Sequence, residues 1–308
     1  MSMNNRQRQQ LQTLTPRLTW DADMAAYSTF RAGNRVEALV EVQSENELVS
    51  LLPWLEQEQI PWQVIGGGSN ILVASNNHPG VFIRQRAQVR DVCRVGQDGD
   101  TVSVCVSAGC SLAALVGWCS NNNLAGLSFM AGIPGSVGGA LRMNAGAFGQ
   151  AIGELVESIR CVSSTGEVVE IPHNRLRFSY RSTLIPGDKN VRRIISAVVL
   201  RLTLGDKQEI QNHCLEIIAK RKQKQPQGVA SAGSFFKNPA GDFAGRLIEK
   251  AGLKGLCQGK AMVSPKHANF IVNTGGAQPE DIVGLMEKVR QTVFQRCGIL
   301  LEPEVRIL

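Results

Sequence analysis

Apolar positions fall into short alternating runs in the first two thirds of the chain and into helical spacing in the last third. Ala38-Leu39-Val40-Glu41-Val42 reads as a strand. Ser44 and Glu47 have capping-box spacing ahead of Leu48, Leu51 and Leu52, which predicts a helix that Pro53 interrupts or kinks. Trp62–Ile65 returns to strand, completing a β-α-β unit. Strands are then predicted at Val81–Ile83, Thr101–Val106, Ser158–Val162, Glu167–Ile171 and Ile194–Thr203, with one helix from Leu112 to Asn121 capped by Ser111. After Gly205 the spacing becomes helical. Ile210, Cys214, Ile217 and Ile218 mark one helix, and Phe243, Leu247 and Ala251 a second. Ile282, Leu285, Met286, Val289 and Val293 mark a third, with Pro279 at its start and Gly298 past its end. Ala268–Val272 is a strand between them. Residues 1–19, rich in Gln and Arg, are expected to be a flexible arm. No internal repeat or low-complexity linker is present.

Composition sharpens this. The chain has 308 residues, 43% hydrophobic and 19% charged, as in a folded protein of two or three domains. Its net charge of +7 suits a phosphorylated ligand or an anionic surface. Nucleic acid is disfavoured, because aromatic residues are only 5% and no recognition-helix or zinc-finger pattern occurs. The short basic run 220–224 ends a predicted helix, where positive charge also complements the helix dipole. Eight cysteines and four histidines are scattered without CxxC or other metal spacing, so no metal is expected. No secretory signal and no apolar run long enough for a membrane span are seen, pointing to a reducing cytoplasm with free thiols.

Glycine is the unusual residue: 31 copies, against an average usage of about 7%, and they cluster. Gly66-Gly67-Gly68-Ser69-Asn70 follows a strand. A dinucleotide-binding loop of the GxGxxG type would open into a helix, whereas here Ile71-Leu72-Val73 continues as a short apolar run. Two readings stay open, a backbone nest for an anion and a plain tight turn. The second cluster runs from Gly132-Ile133-Pro134-Gly135-Ser136 through Gly138 and Gly139 to Asn144, Gly146 and Gly149. Either it presses main chain against a large phosphorylated ligand or it is a flexible lid.

Six segments together resemble one family. They are Thr29-Phe30-Arg31-Ala32-Gly33, the 66–70 cluster, the Ala131–Gly149 stretch, Tyr180-Arg181-Ser182, Ala232-Gly233-Ser234-Phe235-Phe236-Lys237-Asn238-Pro239 and Leu301-Glu302-Pro303-Glu304-Val305. In this order they are similar to the UDP-N-acetylenolpyruvoylglucosamine reductases (MurB) over residues 20–308. The short interval between Arg181 and Ser234, and the presence of only two tyrosines, resemble the type II branch. Two departures occur: Asn34 stands where a second glycine is common, and the sequence beyond Val73 is less typical.

The resemblance implies an α+β fold with a vanillyl-alcohol-oxidase-like (PCMH-type) FAD-binding domain of two subdomains, 20–78 and 79–205. A C-terminal α+β substrate domain, 206–308, would follow. It implies FAD as bound cofactor, NADPH as co-substrate, and reduction of the enolpyruvyl ether of a UDP-sugar to UDP-N-acetylmuramate in a bacterial cytoplasm. The alternative is a non-catalytic UDP-sugar or nucleotide binder on the same fold. By similarity, FAD would be held by Gly66, Gly67, Gly68, Ser69, Asn70, Gly132, Ile133, Pro134, Gly135, Ser136, Gly138, Gly139, Asn144 and Gly146. Arg181 and Glu304 would flank the enolate and Ser234 would donate the proton. Tyr180, Lys224, Asn238 and His267 would meet substrate. Each also admits a structural reading: Arg181 as a loop cation, Ser234 as a turn cap, Glu304 as a rim residue, His267 and Tyr180 as packing. The oligomeric state is left open, a monomer included.

Overall fold

The computed structural model describes residues 2–87, 91–187 and 191–308. The chain forms two compact units. Unit 1 comprises Met1–Trp20, Glu37–Gly67 and Pro79–Ala219; unit 2 comprises Asp21–Val36, Gly68–His78 and Lys220–Leu308.

Unit 1 begins with α1 (Asn5–Leu14), where a flexible arm was expected. The helix caps itself: the Gln7 N–H donates to the Asn4 side chain, and the Asn4 N–H donates to Gln7. Leu11 and Met3 are buried in the first core, beside Leu48, Leu51 and Leu55, and Arg6 pairs with Glu58 at 2.6 Å. The sequence pattern misses this helix because its apolar stripe is one leucine wide.

The β-α-β unit forms as expected. α2 (Glu45–Gln57) joins the strands Arg35–Val42 and Trp62–Ile65 and is capped by Ser44. It runs on through Pro53 instead of breaking. Gly166 fits against that turn: a Cβ there would stand 2.8 Å from Pro53 Cγ and 2.9 Å from the Val49 carbonyl oxygen, the acceptor that Pro53 leaves without its helical N–H. The sheet order is 18–23, 35–42, 78–85, 62–65, the last two strands parallel.

The second sheet is antiparallel, in the order 168–172, 156–163, 193–204, 101–107, 92–98, with 124–125 added beside 193–204. Val102, Val104 and Val106 enter the second core, against α3 (Leu112–Asn121). Strand Val92–Asp98 was not predicted. All of it after Val92 is exposed, so an edge position, not an apolar alternation, makes it a strand. The second glycine cluster is not loop throughout; it contains α4 (Val137–Arg142). α5 (Lys207–Lys224) follows, and the unit boundary falls inside it.

Unit 2 has a four-stranded antiparallel sheet, in the order 230–231, 271–273, 261–263, 257–258. The strand expected at Ala268–Val272 begins only at Ile271, because Phe270 closes a turn onto the His267 carbonyl at 3.0 Å. α6 (Ala244–Lys250) and α7 (Pro279–Cys297) lie where the helical spacing put them, the latter ended by Gly298 at φ +71°. The core of this unit recruits Phe30, Ala32 and Leu72 from far upstream, packed with Phe235, Phe236, Leu247, Leu285 and Leu301. Ile71–Leu72 pairs in parallel with Arg306–Ile307. Residues 21–36 and 68–78, assigned from sequence to the first FAD subdomain, therefore pack with the C-terminal part of the chain.

Candidate active site

In unit 1 the two glycine clusters meet. Strand Trp62–Ile65 delivers Gly66 and Gly67 directly onto the second cluster. A Cβ on Gly66 would stand 2.7 Å from Ser136 Oγ, and one on Gly67 would stand 2.8 Å from the Gly135 Cα. The second cluster is clasped from its other side by the segment before α3: Leu112 N–H donates to the Gly135 carbonyl, Val137 N–H to Cys110 and Gly138 N–H to Ala108, at 2.8–3.0 Å. Gly132 and Gly135 have φ of +76° and +125°, which glycine adopts without strain.

Among the described residues, the main-chain N–H groups of Gly66, Gly67, Gly132, Gly135 and Ser136 donate to no protein acceptor. A set of unsatisfied amides on abutting glycine segments suits a diphosphate anion. The residues present thus fit the anionic centre of FAD. Other glycines of the cluster have a packing reason. A Cβ on Gly138 would stand 2.8 Å from that of Ala108, and one on Gly146 would stand 2.4 Å from the Gln150 carbonyl oxygen.

Tyr180 and Arg181 form the tip of a two-stranded hairpin, 177–179 with 182–184. Arg181 sits at φ +58°, a left-handed conformation costly for a side-chain-bearing residue. The hairpin is tied down at three points. Asn144 Nδ2 donates to the Ser179 carbonyl at 3.0 Å, Thr183 Oγ1 to Leu141 at 2.5 Å, and Arg181 Nη1 to Gly146 at 3.2 Å. Asn144 Oδ1 also accepts the Gly153 N–H at 3.0 Å. Asn144, Gly146 and Arg181 are thus brought together. Tyr180 is exposed, its ring 5.4 Å from the Arg181 guanidinium, so it is not a core residue.

In unit 2 the structure brings Ser234 and Glu304 onto adjoining strands of main chain. Glu304 N–H donates to the Phe235 carbonyl at 2.8 Å, Phe236 bridges Pro303, and Lys237 N–H donates to Glu302 at 2.9 Å. Lys237 Nζ pairs with Glu302 beside them. Asn70 Nδ2 donates to the Glu304 carbonyl at 3.0 Å, and Arg306 N–H donates back to Asn70 at 3.1 Å. Gly68 and Ser69 precede Asn70 on this segment. Gly68 accepts the Thr29 N–H at 3.0 Å, and its φ is +69°.

Two buried asparagines, which motif reading did not single out, organise these segments. Asn269 accepts the Phe235 N–H on its carbonyl and the Phe236 N–H on Oδ1, and its Nδ2 donates to Phe236, at 2.8–2.9 Å. Asn273 Nδ2 donates to the Phe30 and Arg31 carbonyls, while its Oδ1 accepts from Gly275 and Ala277. The available signal was a polar residue within an apolar strand pattern.

The remaining predicted contacts have local duties. Asn238 Oδ1 accepts the first N–H of α6, from Ala244, at 3.0 Å. Lys224 is exposed at the end of α5, whose Lys222 carbonyl is capped by Lys266. His267 Nδ1 accepts the Asn269 N–H at 3.2 Å, and its ring meets Phe270 edge-on at 4.9 Å. Burial holds this imidazole below its ordinary pKa, which together with the accepted hydrogen bond makes it neutral, its other nitrogen carrying the proton.

The described residues contain no metal-ligating cluster and no helix long and apolar enough to cross a membrane. The two sheets with their main-chain anion groups, together with two family matches, place the chain in the class of flavin-binding enzymes with a vanillyl-alcohol-oxidase-like domain. Residues 36–172 match the family described as FAD binding domain, and residues 225–308 match the UDP-N-acetylenolpyruvoylglucosamine reductase C-terminal domain. The chain belongs to the UDP-N-acetylenolpyruvoylglucosamine reductase family and is an enzyme of that FAD-dependent class. The protein of that name from Desulfosudis oleivorans is 39% identical over 296 residues, covering 95% of each chain. Its namesake from Alkalilimnicola ehrlichii is 42% identical over 286 residues, covering 92% of each. The crystal structure of the Thermus caldophilus reductase superposes with a TM-score of 0.77 at 33% identity, over 94% of this chain and 97% of that one.

Proposed function

We propose that this enzyme uses NADPH to reduce the enolpyruvyl ether of UDP-N-acetylglucosamine enolpyruvate to UDP-N-acetylmuramate, in the cytoplasm of a bacterium. FAD, when bound, supplies the relay of hydride from NADPH to the β-carbon of the enolpyruvyl group. The amides of Gly66, Gly67, Gly132, Gly135 and Ser136 would hold its diphosphate. Gly68, Ser69, Asn70, Ile133, Pro134, Gly138, Gly139, Asn144 and Gly146 shape the segments that present it.

The chain then handles the charge and the proton. Hydride arrival leaves negative charge on the α-carbon, delocalised into the neighbouring carboxylate. Arg181 stabilises that enolate. Glu304, in the role the resemblance implies, acts toward the enolate as a protonated or cation-coupled group, since a bare carboxylate would repel it. Ser234 delivers the proton to the α-carbon. Tyr180, Lys224, Asn238 and His267 orient the UDP-sugar, with neutral His267 offering a hydrogen bond and Lys224 a charge for phosphate. Residues 225–308 serve as the substrate domain, and the upstream matched region as the flavin domain.

The observation that carries this reading is the main-chain bond from Glu304 to Phe235, which sets Ser234 beside Glu304 within the matched C-terminal domain. NADPH oxidation measured with and without UDP-N-acetylglucosamine enolpyruvate tests it. Substrate-dependent oxidation is expected; its absence in FAD-loaded protein would sink the assignment. Ser234→Ala should keep flavin bleaching by NADPH and lose turnover by at least about 100-fold, the usual scale of a general acid. A colourless protein that takes up no FAD would favour a non-catalytic UDP-sugar or nucleotide binder.

A further inference from the structure

No two cysteines have CxxC spacing, yet the fold sets one pair face to face. Cys93 lies on the edge strand Val92–Asp98 and Cys105 on its neighbour Thr101–Ser107. The antiparallel register makes them direct partners, between the pairs Val92/Val106 and Arg94/Val104. Residues directly opposite in such a pair share a face, with Cα atoms about 4.5 or about 5.5 Å apart. Either spacing lies within the roughly 4.4–6.8 Å that a disulfide spans. The shared face is the outer one: Val102, Val104 and Val106 point into the core, whereas Cys93 is exposed and Cys105 half-buried.

Among the described strand pairs no other two cysteines stand opposite each other, and Cys214 and Cys297 lie on α5 and α7. Cys110, Cys119 and Cys161 are buried, and burial pushes Cys119 up to about 12. Cys257 is exposed but stands opposite Met262 in its own strand pair.

We propose that Cys93 and Cys105 form a reversible dithiol–disulfide site that reacts with hydroperoxides. The exposed Cys93 thiolate attacks the peroxide O–O bond, becoming a sulfenic acid and releasing water or an alcohol. The Cys105 sulfur then attacks the Cys93 sulfur, the S–S bond forms, and the hydroxyl leaves as water. The two thiols lose two electrons and the peroxide gains them. Exposure sets the order. Burial keeps Cys105 protonated above the ordinary thiol range, with Cys93 adding to the shift and Arg160 opposing it, so the peroxide meets Cys93 first. Exchange with a small dithiol reverses the bond. The closed form pins the edge strand just before its register shift between Arg94 and Gly96, fixing an exposed sheet edge otherwise held by its ladder and the buried Val92.

The test uses the full-length flavin-loaded enzyme and hydrogen peroxide, followed by alkylation of remaining thiols, trypsin and mass spectrometry. Cleavage at Arg94 places the two cysteines on separate peptides, and fragmentation of the 95–142 peptide, which also carries Cys110 and Cys119, locates the bonded sulfur. A linked pair containing Cys93 and Cys105, lighter by two hydrogens and dissolved by dithiothreitol, is expected, while Cys257 carries a sulfenic or higher oxide. In Cys105→Ser the link should vanish and Cys93 should accumulate as a dimedone-trappable sulfenic acid, with basal turnover unchanged. Cys93 recovered fully alkylated after Cys257 has been oxidised would overturn the proposal. So would a bond from Cys93 to any other cysteine.

Discussion

Gly68 shows how narrowly single residues are chosen. A Cβ there would lie 1.8 Å from the Tyr27 carbonyl oxygen, and its φ is +69°. Gly68→Ala should cost more than the roughly 1–2 kcal/mol of a left-handed alanine, since the Tyr27–Thr29 turn must also move. Gly241→Ala is the control: φ is +76° but the space is open, so only the conformational cost applies. Urea midpoints of the two variants should differ in that order. His267 gives a pH dependence. Its folded pKa lies below the unfolded value of about 6.5, so the unfolded chain takes its proton first as pH falls. Stability should be level above that value and drop as pH descends from it toward the folded pKa. In His267→Gln that part of the slope, read from denaturation curves between about pH 7 and pH 5, should flatten. At this scale the glycine clusters were legible in the sequence, because an excess of one residue type stands out, whereas Ser234 and Glu304 were singled out only through the family resemblance of the motifs around them. Asn269 and Asn273 were not, since a buried asparagine looks like any polar residue until its partners are known.

At the scale of elements, legibility followed the width of the apolar stripe. α7, with Ile282, Leu285, Met286, Val289 and Val293 inward, was visible as a periodic pattern between Pro279 and Gly298. α1 offers only Leu11, at 0% exposure, to its core. Leu11→Ala should lower stability by about 2–5 kcal/mol, the usual range for a filled core site, readable by chemical denaturation; a free arm would show no change. Strand Val92–Asp98 was invisible for the opposite reason. Its polar residues carry no pattern, and only the register with Thr101–Ser107 makes it a strand. Pro53 shows that a breaker is a local preference, overridden when a helix is anchored on both sides of it by Leu51, Leu52 and Leu55.

For the whole molecule, the decisive feature is a core drawn from distant stretches. Phe30, Ala32 and Leu72 belong to the same core as Phe235 and Leu301, and Phe30 meets the Phe235 ring edge-on at 6.2 Å. A fragment of residues 220–308 alone should therefore lack a cooperative thermal transition, although it spans the whole matched C-terminal domain. Supplying residues 21–36 and 68–78 in the full chain restores it. The sequence by itself determined most helices and strands, the glycine clusters and the family, because periodicity, capping and residue type are local properties written in order along the chain. Only the tertiary structure decided which segments share a core, that Gly66 and Gly67 abut Gly135, that Ser234 adjoins Glu304, and that Cys93 faces Cys105. Those are long-range registers, set by which packing buries the most apolar surface, and no window of neighbouring residues contains them.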